Sequence, residues 1–420
     1  MDPSQELILL AGVDTQLSTS GWLRLCSSVT GLAHSLARHP TLTVDLGFQI
    51  DTRTPFNITL EIKGQIIAAK FADSARHKYE ILICNWQKGI LLGRISSYIG
   101  IANVVFLNGL QLAVWSACEA GTGRSLTQVS LMIYDLGSTG LGSPIPDNGV
   151  FHVLEFPQLT PSYIFQFPKL RSSSIVSLGG FLLRSEYGPQ EPGLSYTIPF
   201  TDQGALTLGL TMTLAVVDSR LVHPLRIFVD TYSLTRYMSE MKRAGTQNLD
   251  WKDWGEFTTR WFQTGSPDSW ICWMFGSRYV VGDDFLSVLD FNTSTVRRFQ
   301  HRQTNNSVFI ENAGELRFER TARIQAGTWP GGSQRNKFIS DLYSSNGDAV
   351  VVDTVMADTP ARIQYFDEVV TSRLPYRIVT KARPVEPHEG WLISGNYLIG
   401  MGFDFGFASS SNEMTVYTIG

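Results

Sequence analysis

Pairs of carboxylates are the residues of this sequence that could carry out hydrolysis, because one can act as an acid while the other acts as a base or nucleophile. No spacing in the sequence selects two of its aspartates as such a pair, so we interpret them as turn or surface residues and assign no catalytic residue. The aspartates considered are Asp45, Asp51, Asp283, Asp284, Asp353 and Asp367.

Two histidines stand close to a glutamate in sequence, His152 with Glu155 and His388 with Glu389. Residues at odd separations in a strand point to opposite faces, so neither pair is predicted to act as an acid–base couple. The segment 282–285, Gly-Asp-Asp-Phe, lacks the alternating acidic positions of a calcium loop and is interpreted as a solvated turn. We therefore predict no metal and no cofactor.

Phosphate-binding and serine-hydrolase motifs are also missing from the sequence. The segment 121–125, GTGRS, has no lysine and no helix signal after it, so we interpret it as a loop. The sequons at Asn57, Asn292 and Asn305 would matter only in a secreted protein, and the amino terminus shows no secretory signal. Intracellular localisation in the cytoplasm or nucleus is the prediction.

The strands that would position any site share a recurring sequence pattern, which is called the phrase here. It consists of an apolar strand, then Ser, Asn or Asp, then a tight turn. The phrase is clearest at 23–31 (LRLCSSVTG), 81–89 (ILICNWQKG), 227–235 (IFVDTYSLT) and 288–295 (VLDFNTST). A strand buries alternate side chains, and a turn needs a residue that bonds its own backbone. The polar position of the phrase is occupied by Ser27, Asn85, Asp135, Asp230 and Asp290.

Short runs rich in Ile, Val, Leu and aromatic residues predict many strands and few helices. The predicted strands are 7–11, 22–26, 58–62, 65–71, 79–85, 104–106, 111–118, 129–135 and an arm within 204–217. Lys63-Gly64 and Asn108-Gly109 lie between apolar arms, which predicts antiparallel hairpins.

Spacing between the phrases predicts the fold class. The interval from Asp135 to Asp230 is long, and if it contains one unrecognised repeat, the repeat length is about 50 to 60 residues. A chain of this length would then form an all-β fold, a β-propeller of roughly six or seven blades. Residues 1–420 would then form a single domain closed by pairing of 7–10 with 415–419. A sandwich or several small β domains remain open as alternatives.

One segment, about 237–275, interrupts the pattern and is predicted to be a helical or irregular insertion. RYMSEMKRAG at 236–245 contains helix formers and ends in Gly. Trp251, Trp254 and Trp261 are spaced to share one helical face, so a helix packed by its tryptophans is favoured over an exposed ligand platform.

The four cysteines, Cys26, Cys84, Cys118 and Cys272, form no CxxC pair and have no histidine at metal-ligand spacing. Cys26 and Cys84 hold the same position of the phrase, which predicts buried thiols that pack in equivalent strands.

Composition fits a chain that folds and has no general attraction for polyanions. Hydrophobic residues make up 43% and charged residues 17% of the sequence, with a formal net charge of −4. Binding to nucleic acid or to an anionic membrane is therefore not predicted.

The order of several segments resembles the carboxy-terminal part of mushroom-type (basidiomycete) fungal F-box proteins. The matching segments are SQELILLAG at 4–12, HVLEFPQL at 152–159, WKDWGEFTTRWF at 251–262, SWICWMFGSRYV at 269–280 and LSVLDFN at 286–292. The resemblance implies a β-propeller-like region that presents substrates to a ubiquitin ligase through the Skp adaptor. No Leu-Pro start or three-helix F-box pattern is visible, so the Skp adaptor is expected only if an F-box lies upstream or a partner supplies one.

The sequence therefore predicts a non-enzymatic protein-interaction module whose protein ligand is unknown. The alternative is a propeller enzyme or sugar-binding protein with a site at the central channel. Convergent carboxylates or a metal at a channel mouth would favour the alternative, and an apolar or mixed rim would favour the interaction module.

Overall fold

The computed structural model shows an all-β protein with a few short helices. It describes residues 5–14, 19–50, 57–73, 76–98, 100–119, 126–137, 142–184, 206–216, 221–264, 274–282, 285–300, 307–312, 315–320, 337, 339–341, 350–384, 388, 390–394, 397–402 and 413–418. The all-β class predicted from the sequence is confirmed.

Strands and helices are numbered here in chain order. The first strands are β1 (Leu7–Val13), β2 (Ser20–Ser27), β3 (Thr41–Asp45), β4 (Ile58–Lys63), β5 (Ile66–Asp73), β6 (Lys78–Asn85), β7 (Ile90–Ser97), β8 (Ile101–Phe106), β9 (Gln111–Glu119), β10 (Leu126–Asp135), β11 (Ser143–Pro144), β12 (Val150–His152), β13 (Tyr163–Gln166), β14 (Ser174–Arg184), β15 (Thr207–Val216) and β16 (Val222–Asp230). They are followed by β17 (Asn248–Leu249), β18 (Thr259–Gln263), β19 (Met274–Phe275), β20 (Arg278–Gly282), β21 (Phe285–Asp290), β22 (Ser307–Asn312), β23 (Glu315–Arg320), β24 (Val350–Val355), β25 (Ala361–Ile363), β26 (Val370–Ser372), β27 (Tyr376–Pro384), β28 (Gly390–Ser394), β29 (Tyr397–Gly402) and β30 (Glu413–Thr418). The numbered helices of the described residues are α1 (Thr231–Ala244), α2 (Trp251–Thr258) and α3 (Thr293–Gln300), and a 3₁₀ turn covers Val153–Glu155. Residues 337 and 339–341 are also helical.

Contacts within the chain divide it into two compact units. Unit 1 comprises Met1–Lys169 and Met241–Asp250, and unit 2 comprises Leu170–Glu240 and Trp251–Gly420. The single-domain arrangement derived from the sequence stays a prediction.

Unit 1 contains three sheets, and each begins as an antiparallel meander of consecutive strands. Their orders are β1-β2-β3-β12, β11-β7-β6-β5-β4 and β17-β13-β10-β9-β8. Only short strands join in parallel: β12 pairs with β3, and β17 pairs with β13. The apolar phrase strands lie inside these sheets, where both edges of the backbone are hydrogen-bonded.

Unit 2 repeats the meander. Its larger sheets have the orders β14-β15-β16-β18, β19-β20-β21-β27-β24-β22-β23 and β28-β29-β30, and β25 pairs with β26. Every residue from Thr207 to Leu214 in β15 is buried, so this strand has both faces covered. The strand predicted within 204–217 is confirmed.

Each unit has its own apolar core. In unit 1, Leu25, Val44, Phe71 and Trp86 belong to one buried cluster. In unit 2, Phe228, Tyr376 and Trp391 belong to another. Both clusters draw their side chains from several sheets, so each sheet depends on its neighbours for burial of its apolar face.

The predicted hairpins are confirmed, and their turns show why their residues suit them. Lys63 pairs with Ile66 across a two-residue turn in which Gly64 has φ of 56°. In the second hairpin Asn108 Oδ1 accepts hydrogen bonds from Leu110 N and Gln111 N, at 2.8 and 2.9 Å. Positive φ and self-bonding side chains are the features that reverse a chain in few residues.

Three expectations from the sequence are corrected. Pairing of 7–10 with 415–419 is not among the pairings of the described strands, since β1 pairs with β2 and β30 with β29. No further meander separates β10 from β14 among the described residues; β11, β12 and β13 occupy part of that step. The sequence KARPVEP at 381–387 is typical of a loop, but its residues 381–384 continue β27.

No helix among the described residues is long and apolar enough to cross a membrane.

Candidate functional site

The polar residue of the phrase ends a strand in every case and holds the chain that follows. Asn85, Asp135, Asp230 and Asp290 end the third strands of four antiparallel meanders, whereas Ser27 ends the second strand of its meander. Each side-chain oxygen accepts a backbone N–H two or three residues later, at 2.9 to 3.4 Å. The five residues that the sequence places at one equivalent position therefore share a structural role, because each starts the connection to the next strand of its sheet.

The connections that start at these residues are candidates for function, because binding residues concentrate on loops held by a rigid scaffold. Three of them, residues 28–40, 86–89 and 136–162, lie in unit 1, and residues 291–375 lie in unit 2. The fifth, residues 231–258, contributes residues to both units. The last two connections in chain order contain the helices α1, α2 and α3.

The three connections of unit 1 contact one another. Arg38 N donates to Trp86 O at 3.3 Å, and Ile145 N donates to Gly89 O at 2.9 Å. Gly89 has φ of 65°, and a Cβ added there would lie 2.7 Å from Arg38 Cγ. Only glycine fits this close approach. The connections thus form one surface at one edge of unit 1.

Residues 28–37, named here the leucine loop, are ordered by local hydrogen bonds. Ser27 Oγ accepts from Val29 N and Thr30 N, at 3.2 and 3.4 Å. Ser27 N donates to Leu32 O at 2.8 Å, and Thr30 Oγ1 accepts from Leu32 N at 3.3 Å. The loop therefore has a defined conformation, like a turn in a larger motif.

His34 anchors the leucine loop to the sheet beneath it. Its Nδ1 accepts from Leu36 N at 3.2 Å, and its Nε2 lies 3.0 Å from Gln5 O. These partners fit the neutral tautomer with the proton on Nε2. The His34 ring also meets the Trp86 ring edge to face, with centroids 5.1 Å apart. His34 is buried, so it acts as a structural anchor.

The same loop exposes three large apolar side chains. Val29 and Leu32 are each 70% exposed, and Leu36 is 60% exposed. An isolated exposed apolar residue needs no explanation, but three large ones on one ordered loop make this loop a candidate interaction surface.

Charged residues of both signs lie beside this loop. Arg38 and Lys88 are exposed, and Arg38 Nη2 lies 3.8 Å from Asp147 Oδ1. Asp147 and Glu6 are also exposed, and Glu6 O accepts from Ser28 N at 2.7 Å. The loop itself is therefore apolar, and the charges beside it show no excess of either sign.

The tryptophan prediction is correct about burial and wrong about the helix. Trp251 and Trp254 lie in α2, but Trp261 lies in β18, so the three do not share a helical face. They still pack together, because Trp251 contacts Trp254 at 5.3 Å and Trp261 at 5.5 Å between centroids. Trp254 and Trp261 are buried, whereas Trp270 and Trp273 lie outside the described residues. The chain turns from helix to strand after Thr258, and that turn brings Trp261 back against α2.

Arg260, beside this tryptophan cluster, is fully buried and holds one connection of unit 2 in place. It donates to the carbonyl oxygens of Leu374, Thr359 and Met356 at 2.7, 2.9 and 3.4 Å. Burial lowers the pKa of Arg260, and the interaction with Tyr376 opposes that shift. Its contacts satisfy the backbone of residues 356–374, which is a structural role.

A buried carboxylate network in unit 1 joins two strands to the segment after β12. Glu80 accepts from Arg94 Nη1 at 3.2 Å and from Ser96 Oγ at 2.6 Å, and Arg94 Nε donates to Phe156 O at 2.8 Å. Burial raises the pKa of Glu80, while the bonds to Ser96 and Arg94 oppose this. Glu80 therefore has both a cation and a hydroxyl group as partners, and Arg94 also binds the backbone at Phe156, so the geometry indicates a structural role.

The carboxylates considered for catalysis do not converge in the described residues. Asp45 Oδ1 accepts from Gly47 N at 3.0 Å as a turn residue, Asp353 lies within β24 and Asp367 is exposed. Asp51, Asp283 and Asp284 lie outside the described residues, as do 121–125 and Glu389. No group of three metal-ligating side chains occurs in the part of the chain that the structure describes.

One contact between a histidine and a carboxylate was not predicted from the sequence. His152 Nε2 lies 3.7 Å from Asp45 Oδ2, because parallel pairing of β12 with β3 puts the two residues opposite each other. His152 Nδ1 accepts from Leu154 N at 3.1 Å. Both side chains are well exposed to water, so this pair contributes little stability.

The cysteine prediction is confirmed where it can be observed. Cys26 and Cys84 are free and buried. Burial raises the pKa of the Cys84 thiol to about 12, so the thiol is inert at neutral pH. The side chains of Cys118 and Cys272 lie outside the described residues.

Comparison with known proteins leaves the family open. No family model and no curated protein matches the chain. A structural match is the β-propeller domain of the trilobed protease from Pyrococcus furiosus, with TM-score 0.28 and 9% identity over 99% of this chain and 92% of that one. Another is from a study of two prolyl endopeptidases, with TM-score 0.20 and 9% identity over 99% of this chain and 54% of that one. These scores are too low to support an argument about fold or activity.

Proposed function

We propose that the chain is a protein-interaction module that presents a binding surface on the connections of a β-propeller. Supporting this proposal is the ordered surface of unit 1, where the leucine loop exposes Val29, Leu32 and Leu36 on a rigid base. An interaction module needs a preformed surface, and ordering a loop before binding reduces the entropy lost on association.

The propeller part of the proposal is supported by the repeated meanders. Six of the described sheets contain three or four neighbouring strands that follow one another in chain order, and the phrase residue ends the third of these strands in four sheets. Radial repetition of such meanders is the architecture of a propeller blade. The six described sheets that contain a meander match the lower end of six or seven blades.

The resemblance to mushroom-type fungal F-box proteins gives the proposal its cellular context. In that context the module would select a substrate protein for a ubiquitin ligase. The Skp adaptor would be engaged only where an F-box is supplied by a further segment or by a partner.

Affinity purification of the tagged chain from a basidiomycete extract tests the function. Its controls are an unrelated β protein with the same tag and a Trp86→Ala variant, which removes a buried side chain of the unit 1 core beneath the leucine loop. Proteins retained by the wild type and not by either control are then purified and titrated against the chain by calorimetry.

A partner that binds the purified chain with one-to-one stoichiometry supports the interaction module. Recovery of the Skp adaptor and cullin with that partner supports the ligase context. A wild-type chain that retains no more protein than its controls in repeated purifications contradicts the proposal.

A further inference from the structure

We propose that one face of the sheet β1-β2-β3-β12 binds a neutral oligosaccharide. This inference goes beyond the proposed protein-interaction function and does not depend on it. Its basis is an indole ring on the sheet surface, beside polar side chains that are free to bind a ligand. The side chains that carry the argument, called here the Trp22 face, are Trp22, Arg24, Thr41, Thr43, Asp45 and His152.

Strand β3 shows that this face of the sheet is not part of the core. Leu42 and Val44 are buried in the unit 1 core, whereas Thr41, Thr43 and Asp45 alternate with them and are exposed or half-buried. Because successive side chains of a strand point to opposite faces, one face of the sheet packs on the core and the other meets solvent.

The indole ring of Trp22 supplies an aromatic surface on the solvent face. Trp22 pairs with Gly12 of β1 and with Thr43 of β3. Its ring lies over Gly12, since a Cβ added to that glycine would be 2.6 Å from Trp22 Cε2 and 3.0 Å from Trp22 Nε1. The ring is half-buried, so the side turned away from Gly12 can receive a ligand. The C–H groups of a sugar ring pack well on the negative face of an aromatic ring.

Asp45 and His152 form a polar site on the same face. Asp45 Oδ1 accepts from Gly47 N at 3.0 Å, and His152 Nδ1 accepts from Leu154 N at 3.1 Å. In the neutral histidine the proton is therefore on Nε2, which lies 3.7 Å from Asp45 Oδ2. This distance is too long for a direct hydrogen bond. A ligand hydroxyl can accept from His152 Nε2 and donate to Asp45 Oδ2.

The other polar side chains of the Trp22 face are also available. Within the described part of the chain, the side chains of Trp22, Arg24, Thr41 and Thr43 make no hydrogen bond or ion pair with another residue. A ligand can therefore bind them without breaking an internal contact. Each sugar hydroxyl both donates and accepts, so a saccharide matches a surface that mixes N–H donors, hydroxyl groups and a carboxylate.

The charges of the region favour a neutral ligand. Arg24 is positive, while Asp45 and the exposed Glu6 and Asp14, at the two ends of β1, are negative. These residues give no positive excess that would attract a sulfated or phosphorylated ligand. A protein partner fits less well, because the centres of protein interfaces are depleted of charge and Arg24 and Asp45 lie on either side of Trp22.

The width of the sheet predicts the length of the ligand. The ring of Trp22 lies over β1, and His152 belongs to β12 at the other edge of the sheet. Neighbouring strands are about 4.8 Å apart, so the ring and His152 are separated by about 14 Å. A chain of several sugar units can reach both, whereas a monosaccharide cannot.

The test applies the fluorescently labelled wild-type chain to an array of neutral gluco-, manno-, galacto- and chito-oligosaccharides of two to six units, with sulfated versions beside them. The retained oligosaccharide is then titrated by calorimetry against the wild type and against Trp22→Ala, Thr43→Val and His152→Ala. Tyr232→Ala is the matched control, because Tyr232 in α1 is an aromatic residue that is 77% exposed and lies outside the Trp22 face.

The expected result is retention of neutral oligosaccharides, with an affinity that rises with length up to about three or four units. Affinity should fall about tenfold or more in Trp22→Ala and about threefold or more in His152→Ala, and it should be unchanged in Tyr232→Ala. Melting temperatures check the fold of each variant. Thr43→Val keeps a β-branched strand residue and removes only a hydroxyl group, so a weaker affinity in Thr43→Val supports the site even if Trp22→Ala does not fold.

Four results overturn the inference: no retention of any oligosaccharide, retention of sulfated oligosaccharides only, an affinity that does not change in any variant of the Trp22 face, or an affinity that falls equally in Tyr232→Ala. A partner protein from the affinity purification that His152→Ala no longer binds, in a chain that retains no oligosaccharide, would assign the face to a protein instead.

Discussion

At the scale of single residues, several charged side chains are buried, and their surroundings determine their pKa values and their contributions to stability. Glu80, Arg94 and Ser96 satisfy one another, and Arg260 satisfies three carbonyl groups. Lys70 is a further buried cation, which lies within β5 and is only 2% exposed. Burial lowers its pKa to about 7.

The pKa of Lys70 predicts a pH-dependent stability. Between about pH 7 and about pH 10 the unfolded chain holds a proton on Lys70 that the folded chain has lost, so the contribution of Lys70 to the free energy of unfolding rises with pH. Lys70→Met should therefore be more stable than the wild type below pH 7, and this advantage should shrink as the pH rises. Urea unfolding across the range measures the difference.

Exposed Lys252 in α2 is the matched control. Lys252→Met should follow the pH dependence of the wild type. A Lys70→Met variant that runs parallel to the wild type from pH 6 to 10 would show that Lys70 keeps an ordinary pKa in the folded protein.

Removing the partner of Glu80 should be costly. In Arg94→Met the carboxylate stays buried without its cation, and we expect a loss of about 3 kcal/mol in the free energy of unfolding at neutral pH. The loss should become smaller as the pH falls, because burial raises the pKa of Glu80 and a protonated carboxyl needs no cation. Adding Glu80→Gln to the Arg94→Met variant should recover part of the lost free energy of unfolding. Equal stability of Arg94→Met and the wild type at neutral pH would contradict a stabilising contact between Glu80 and Arg94.

At the scale of elements, the residue that ends a phrase strand also starts the next element. Asp230 is the clearest case, because its carboxylate accepts from Tyr232 N, Ser233 N and Ser233 Oγ at the start of α1. A carboxylate at a helix N-terminus satisfies free N–H groups and interacts favourably with the helix dipole.

Asp230→Ala should lower the free energy of unfolding by about 1 kcal/mol through loss of this cap. Asp230→Asn should cost less, because the amide oxygen still accepts a hydrogen bond. Chemical denaturation measures both, with the exposed Ser239→Ala in the same helix as the control. An Ala variant as stable as the Asn variant would mean that Asp230 is not a working cap.

The helix α2 offers a matched pair of aromatic residues. Trp254 is buried and Phe257 is exposed on the same helix. Trp254→Ala should lower the free energy of unfolding by about 3 to 5 kcal/mol, as expected for truncation of a buried aromatic side chain. Phe257→Ala should cost about 1 kcal/mol or less, since Phe257 mainly contacts Arg373, 5.9 Å from its ring. Lost binding with an unchanged melting temperature in Trp254→Ala would favour the interface interpretation instead.

At the scale of the whole molecule, the net charge predicts that the protein does not bind polyanions. The net charge of −4 gives no general attraction to polyanions. We expect no retention on heparin or duplex DNA at about 0.15 M salt, where surface charges are screened beyond about 8 Å. Retention that disappears in Lys88→Glu would show instead that Lys88 belongs to a local site for polyanions.

Much of the fold was predictable because its signals are local. Alternating apolar residues predicted the strands, Lys63-Gly64 and Asn108-Gly109 predicted hairpins, and the phrase located five equivalent strand ends. The candidate site was less predictable: residues 28–37 contain the apolar side chains and His34, but sequence periodicity cannot show which of them face water. The signal that was available is a turn-rich segment that still carries Val29, Leu32 and Leu36.

The sequence by itself determined the all-β class, the strand ends at Ser27, Asn85, Asp135, Asp230 and Asp290, and the burial of Cys26 and Cys84, because these depend on side-chain alternation and on bonds between near neighbours. Only the tertiary structure decided that Trp261 leaves the helix, that His152 lies opposite Asp45, and that His34 is buried while Leu32 and Leu36 are exposed. Those outcomes depend on contacts between distant segments, whose free energies exceed local preferences and leave no periodic trace in the chain.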